Sequence, residues 1–116
     1  MEIEDIKEII ESTVVALASV NGDSKPHNIA VENVCLKESK IIIADEHMNT
    51  TIENIKHNPK VSLVFGVGEN GWIVDGEAEY HESGKWIDFV KLLKENEDKE
   101  LKGAVVINVN EVGRLS

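Results

Sequence analysis

The sequence predicts a mostly β protein, a small antiparallel barrel with peripheral α-helices, and three observations carry this prediction. First, residues 72–81 alternate between apolar and polar side chains, which is the pattern of a strand with one buried face. Second, residues 41–43 and 104–109 are runs rich in β-branched residues, typical of strands buried on both faces. Third, turn sequences such as Asn21-Gly22-Asp23 separate the strands at hairpin spacing. Six or seven short strands favour a barrel, because closure removes exposed edges.

Two amphipathic segments predict the peripheral helices. In residues 2–12, isoleucines recur at three- and four-residue spacing among glutamates and lysines. One apolar stripe of this helix is therefore expected to cover an open end of the barrel. The same spacing recurs after Ser83 and Gly84, where the stripe consists of Trp86, Phe89, Val90 and Leu93.

The middle of the chain contains a third, shorter helix between two strands. Thr50 is followed three residues later by Glu53, which is the spacing of a capping box, so we expect the helix to begin at Thr51. Pro59 has no N–H group and disfavours helical backbone at the preceding residue. The helix is therefore expected to end at Asn58.

Two strands carry residues that permit two interpretations. In the region 26–36, Glu32 and Asn33 interrupt apolar residues; either this strand has a solvated face, or these two side chains point toward a ligand. In the strand 72–81, Trp72 either belongs to the core or an interface, or stacks on an aromatic ligand. The small residue Gly76 on the apolar face fits a crowded barrel corner or the close approach of another backbone.

Composition narrows the class of protein. With 116 residues, the chain is expected to form one domain, residues 1–116. Cys35 is the single cysteine, so no intrachain disulfide forms and a reducing cytoplasm is the expected compartment. The first residues are acidic and amphipathic, so no signal peptide is expected there, and no apolar run reaches the ~20 residues of a membrane span. A net charge of −10 with a single arginine, Arg114, argues against a nucleic-acid partner.

The sequence contains no familiar catalytic motif. The four histidines have no spacing that would place two of them on one face beside a carboxylate, so no metal site is predicted. Neither a G-x-S-x-G nucleophile motif, a P-loop nor a G-x-G-x-x-G motif after a strand is present. Chemistry by this protein would therefore depend on a bound organic cofactor.

The start of the middle helix is the candidate anion-binding segment. The first amide N–H groups of a helix have no intrahelical partner, and the helix dipole places partial positive charge there. Asn49, Thr50 and Thr51 would add side-chain donors for a phosphate group on a small ligand. The alternative is that Thr50 only caps its own helix, with nothing bound.

Four segments, taken in order, resemble one known family. They are VVALASVNGDSKPHNI, MNTTIENIKHNPKVSLVF, GWIVDGEAEYH and the closing AVVINV, and together they span nearly the whole chain. In this order and spacing, the chain resembles the FMN-binding split-barrel family, the superfamily of pyridoxamine 5'-phosphate oxidase. Within it, the chain is most similar to the small stand-alone FMN-binding proteins.

This resemblance implies a six-stranded antiparallel split β-barrel that forms a homodimer, with FMN near the subunit interface. The implied function is that of an FMN-binding flavoprotein, either an oxidoreductase or an electron carrier with a small-molecule or protein redox partner. The alternative is a non-catalytic barrel, or one that binds deazaflavin, haem or no cofactor. The implied residues along the flavin ring are Ala30, Val31, Glu32 and Asn33. Those implied to wrap the ribityl chain and phosphate are Glu46, His47, Met48, Asn49, Thr50 and Thr51.

One departure from the family pattern concerns the phosphate. Similar sequences tend to carry a lysine immediately before the threonine of this loop, and here that position is Thr50. A charge-assisted contact is worth about 1.5–3 kcal/mol, so its loss predicts roughly ten- to hundredfold weaker FMN binding unless another cation replaces it. By sequence proximity, the candidates are Lys25, Lys56 and His57.

Overall fold

The computed structural model describes residues 1–115 and is a mostly β split barrel with peripheral helices, as predicted. All neighbouring strands are antiparallel, in the order β2-β1-β5-β6-β7-β4-β3. The strands are β1 (Val15–Val20), β2 (Pro26–Val31), β3 (Cys35–Lys37), β4 (Lys40–Asp45), β5 (Lys60–Val67), β6 (Asn70–His81) and β7 (Gly103–Leu115).

Three α-helices lie around the sheet, in the three segments predicted to be helical, although the last one ends before Leu93 of its predicted stripe. They are α1 (Lys7–Ser12), which continues a 3₁₀ turn at Ile3–Ile6, α2 (Asn49–His57) and α3 (Lys85–Lys91). The isoleucine stripe of the N-terminal segment is buried, as predicted. Within residues 1–115, no helix combines the length and apolar character needed to cross a membrane.

The sheet has seven strands, within the six or seven counted from the sequence but one more than the family resemblance implied, because the region 26–36 is not continuous. Asn33 adopts a left-handed backbone conformation, with φ of 56°, which asparagine tolerates better than most residues. The chain bends there and separates β2 from the three-residue β3. Strand β2 pairs with β1 and β3 pairs with β4, so one short stretch of sequence supplies both edges of the sheet.

Strand β4 is buried on both faces, as its run of three isoleucines predicted. Ile41 and Ile43 belong to the main core inside the barrel. Ile42 belongs to a second cluster in which Trp86 and Val90 of α3 cover the outer face of the sheet. These side chains fix the position of β4, and therefore of the segment that follows it.

The corner between β6 and β7 explains the small residue at position 76. A Cβ atom built on Gly76 would lie 2.5 Å from the carbonyl oxygen of Asn108, so the predicted close approach of another backbone is confirmed. The register between the two strands shifts at Asp75/Gly76, where Asn110 is the additional residue of β7. Strand β7 therefore continues past the predicted Val109 as far as Leu115.

Trp72 belongs to the core of the chain. Its side chain is 7% exposed and stacks on Phe65, with ring centroids 6.1 Å apart. The guanidinium group of Arg114 lies over the Trp72 ring, 5.7 Å from its centroid. The core interpretation of this tryptophan is therefore the one that the structure supports.

Candidate cofactor site

A cleft of about 320 Å³ has two walls. One is β2, and the other is the end of β4 together with the segment that follows β4. Strand β2 is an edge strand and β4 lies near the opposite edge, so the cleft forms where the sheet curls back toward itself. Six of the ten residues selected from the sequence line it, namely Ala30, Val31, Glu32, Glu46, His47 and Met48. Ile29, Ile43 and Ala44 complete the lining.

The walls of this cleft differ in character. Val31 is buried and Met48 is half-buried against the main core, so both give the cleft an apolar floor. Ala30 is exposed and small, which leaves room beside the strand for a flat ring. Glu32 and Glu46 place carboxylates at the cleft, so an anionic group is disfavoured there and must lie farther along, toward α2.

The other four selected residues do not line the cleft. Asn33 is exposed in the bend between β2 and β3. Asn49 and Thr50 are exposed in the first turn of α2, directly after Met48, the last residue that lines the cleft. Thr51 is 1% exposed, and its Oγ1 has no hydrogen-bond partner within residues 1–115.

The predicted start of the middle helix is wrong by two residues. Helix α2 begins at Asn49, with Met48 as the N-cap residue, rather than at Thr51. No side chain in the described part of the chain caps it, so Thr50 and Glu53 do not form the expected capping box. Thr50 is instead the second residue of the helix, and its hydroxyl does not cap it.

Asp45 is the residue that fixes the start of this segment, and the sequence analysis missed it. It is 2% exposed; its Oδ1 accepts a hydrogen bond from the Met48 N–H at 2.8 Å, and its Oδ2 accepts one from the Tyr80 hydroxyl at 2.5 Å. The backbone N–H of Lys102 donates to the carbonyl oxygen of Asp45 at 2.8 Å. Burial, followed by the hydrogen bond to Asp45, raises the pKa of the Tyr80 hydroxyl well above its ordinary value.

These contacts leave donors without acceptors at the start of α2. The first intrahelical bond joins the N–H of Ile52 to the carbonyl oxygen of Met48 at 2.9 Å. The amide N–H groups of Asn49, Thr50 and Thr51 precede it and have no place in the helical ladder. Together with the unpaired hydroxyl of Thr51, they form a set of donors suited to an anion.

The cations predicted from sequence proximity lie at the wrong end of this helix. Lys56 and His57 belong to its last turn, about 10 Å from the first residue at 1.5 Å per residue. The turn that contains Lys25 lies beside that same end. The cation near the first turn is Lys102, whose Nζ donates to Asn49 Oδ1 at 3.4 Å.

A local signal existed for one of the residues that were missed. An aspartate at the end of a buried strand can accept a hydrogen bond from a backbone N–H two or three residues later, and Asp45 does so. Tyr80 and Lys102 lie 35 and 53 positions from their partners Asp45 and Asn49, so no local pattern identifies them.

Comparisons with known proteins agree with this architecture. A relative from Methanocaldococcus jannaschii, itself an uncharacterized protein, is 31% identical over 120 residues, which cover 97% of this chain and 79% of that protein. The crystal structure of HupZ from Group A Streptococcus matches with a TM-score of 0.89 at 21% identity, covering 99% of this chain and 94% of that one. An FMN-binding protein from Syntrophomonas wolfei matches with a TM-score of 0.79 at 15% identity, covering 97% and 88% of the two chains.

The family assignment follows from a sequence match over almost the whole chain. The structural likenesses are at low identity and establish the shared fold alone. The family model described as pyridoxamine 5'-phosphate oxidase matches residues 2–115. The chain therefore belongs to the pyridoxamine 5'-phosphate oxidase family of split-barrel proteins.

Proposed function

We propose that this protein binds FMN, with the flavin ring in the cleft beside β2 and the phosphate toward the start of α2. The observation that carries the proposal is that β2 and the Glu46–Met48 segment, which the family resemblance implies for the ring and the ribityl chain, line one cleft. In this role the protein is a flavoprotein, either an oxidoreductase or an electron carrier. Its redox partner is a nicotinamide cofactor, a small oxidant or another protein.

The residues present fit such a cofactor. The cleft volume of about 320 Å³ lies in the range of small-molecule sites, roughly 300–1,000 Å³. Val31 and Met48 supply apolar contact for a ring, and Ala30 leaves space for it. The unpaired amides of the first turn of α2 and the Thr51 hydroxyl supply donors for a phosphate. Ring and phosphate subsites thus lie at the two ends of one short segment.

The division of labour follows from these residues. A bound flavin supplies the hydride- or electron-transfer chemistry, and the protein supplies position and electrostatics. Val31 and Met48 exclude water from the floor of the cleft, while Glu32 and Glu46 place negative charge near the ring. Asp45 holds the loop between the two subsites through its bond to the Met48 amide.

We place the flavin near a homodimer interface. Ala16 of β1 pairs with Ala30 on one side and with Val64 of β5 on the other, so the three side chains share the outer face of the sheet. Both alanines are exposed and Val64 is 39% exposed, which makes a small apolar surface directly beside the cleft. A second copy of the chain would cover it. A single cysteine, Cys35, suits the reducing cytoplasm in which this dimer would work.

Titration with FMN tests the cofactor assignment. The purified protein is expected to bind FMN with quenched flavin fluorescence and a raised melting temperature, and denaturation should release intact FMN. Ala30→Trp fills the space for the ring and is expected to weaken binding at least about tenfold. Asn28→Trp is the matched control, because Asn28 is exposed on the same face of β2 but outside the cleft. Stabilisation by a deazaflavin or haem, with none by FMN, would establish the alternative function.

Sedimentation tests the dimer separately. Val64→Glu is expected to give a monomer, because it places a charge in the proposed interface. Val67→Glu is the control. Val67 is 55% exposed at the end of β5, and its side chain points to the opposite face of the sheet from that of Val64. A wild-type protein that sediments as a monomer at high concentration contradicts the homodimer.

A further inference from the structure

A lysine distant in sequence lies at the first turn of α2. Lys102 is 53 positions from Asn49, yet its Nζ donates to Asn49 Oδ1 at 3.4 Å. Its backbone N–H donates to the carbonyl oxygen of Asp45 at 2.8 Å, so the fold fixes the base of this side chain beside the loop. The position of the cation is therefore set by tertiary structure.

We propose that Lys102 is the counter-ion of the cofactor phosphate, in place of the lysine that similar sequences carry at the position of Thr50. This inference rests on the proposed function, because it concerns the phosphate end of the same cofactor. It adds a residue of this chain that determines whether a phosphorylated flavin is preferred over an unphosphorylated one.

A second observation, in the same first turn of α2, indicates an anion. Thr51 is 1% exposed, and its Oγ1 finds no acceptor or donor among residues 1–115. Thr51 belongs to the buried face of α2, and because helical side chains tilt toward the N-terminus, its hydroxyl lies beneath the start of the helix. A buried polar group without a partner is costly, and a phosphate oxygen at the first turn would supply the missing acceptor.

The contact that Lys102 already makes does not occupy it fully. An ammonium group has three N–H donors, and a bond of 3.4 Å to a neutral amide oxygen is long. The remaining donors are available to a phosphate oxygen, which is a stronger acceptor because it is charged. From the same position, Nζ can therefore donate to Asn49 when no ligand is bound and also to a phosphate oxygen when a ligand is bound.

The surrounding charges make a local cation necessary. The chain carries a net charge of −10. In the sequence, Glu46 precedes the first turn of α2 and Glu53 follows it. A phosphate at this turn experiences an unfavourable field that the helix dipole alone offsets only in part. Lys102 is the side chain whose charge lies closest to Asn49 in the described hydrogen-bond network.

Paired titrations with FMN and riboflavin test this inference, because the two ligands differ only in the phosphate. Lys102→Gln is expected to weaken FMN binding about tenfold and to leave riboflavin binding unchanged. Lys102→Arg should keep the preference for FMN. Lys99→Gln is the matched control: Lys99 is an exposed lysine of the same loop, and its replacement changes the net charge equally.

The outcomes separate this inference from the proposed function. If the wild-type protein binds neither flavin, the proposed function and this inference both fall. If it binds both flavins equally, or if Lys102→Gln weakens riboflavin as much as FMN, only the role of Lys102 is overturned. Equal losses of FMN affinity in Lys102→Gln and Lys99→Gln also overturn it, because they would reflect net charge alone. A thermal melt of each variant confirms that it is folded at the titration temperature.

Discussion

The two ends of α2 are built in opposite ways. At the C-terminal end, the Asn58 N–H donates to the carbonyl oxygen of Asn54 at 2.8 Å, and Asn54 Nδ2 donates to Ser19 Oγ at 3.0 Å in a buried contact. Lys56 adds positive charge where the helix dipole is negative. At the N-terminal end, the first-turn amides and the Thr51 hydroxyl have no partner in residues 1–115. One end is completed by the protein, whereas the other keeps donors that are unpaired among the described residues.

Removing the buried contact at the completed end has the largest expected effect on stability. Asn54→Ala leaves the hydroxyl of Ser19, which is 2% exposed, without its donor and creates a cavity. We expect the free energy of unfolding to fall by about 3 kcal/mol, measured by urea denaturation. Ser19→Ala and the double variant complete a cycle, in which the two losses should not add. Additive losses would contradict the contact.

Tyr80→Phe tests how the open end is held in place. The hydroxyl of Tyr80 donates to a buried carboxylate oxygen of Asp45, so its removal is expected to cost about 2 kcal/mol of unfolding free energy. FMN affinity should also fall, because Asp45 positions the Met48 amide beside the cleft. Unchanged FMN affinity would mean that the loop keeps its position without this bond.

The hydrogen bond between Tyr80 and Asp45 also makes the stability of the folded protein depend on pH, and the sign of this dependence is defined. Burial and the hydrogen bond to Asp45 raise the pKa of Tyr80 above that of an unfolded tyrosine, about 10. The folded state therefore holds this proton more tightly, and the stability contribution is present below about pH 10 and lost as the pH rises through the folded pKa. Tyr80 is the only tyrosine, so absorbance of tyrosinate reports on it alone. A native-state titration at the unfolded midpoint would contradict this prediction.

The contrast between the two ends also separates what the sequence could predict from what it could not. The end of α2 followed from Pro59, whose missing N–H acts locally, and the strands followed from burial that repeats along the chain. The start of α2 did not follow from the Thr50-to-Glu53 spacing, because the Asp45 side chain fixes the chain earlier. The division of the region 26–36 into two strands depended on one backbone conformation, at Asn33.

The candidate site shows the same division. The family resemblance supplied both sets of residues that line the cleft: Ala30, Val31 and Glu32 in one strand, and Glu46, His47 and Met48 before the helix. That both sets line one cleft depends on the curl of the sheet, which no local spacing encodes. Lys102 was missed for a related reason, since it reaches the helix from across the fold.

Thr51→Val is expected to stabilise the unliganded protein and to weaken ligand binding. The change removes an unpaired buried hydroxyl with nearly no change in shape, so the free energy of unfolding should rise by about 1 kcal/mol. The same change removes a donor from the proposed phosphate site, so FMN affinity should fall while riboflavin affinity is kept. A destabilised variant would show that the hydroxyl has a partner in the native protein.

Lys56→Gln has the smallest expected effect and compares the two ends most directly. Lys56 lies in the last turn of α2 with its Nζ 5.4 Å from the centroid of the Tyr80 ring, so its loss should lower the free energy of unfolding by about 0.5 kcal/mol. FMN affinity should be unchanged, because the lysine lies at the end of the helix opposite the unpaired amides. Lys56→Gln and Lys102→Gln remove the same charge from the same residue type. If both weakened FMN equally, the phosphate would respond to the overall field of the protein, and the two ends of the helix would be equivalent toward the ligand.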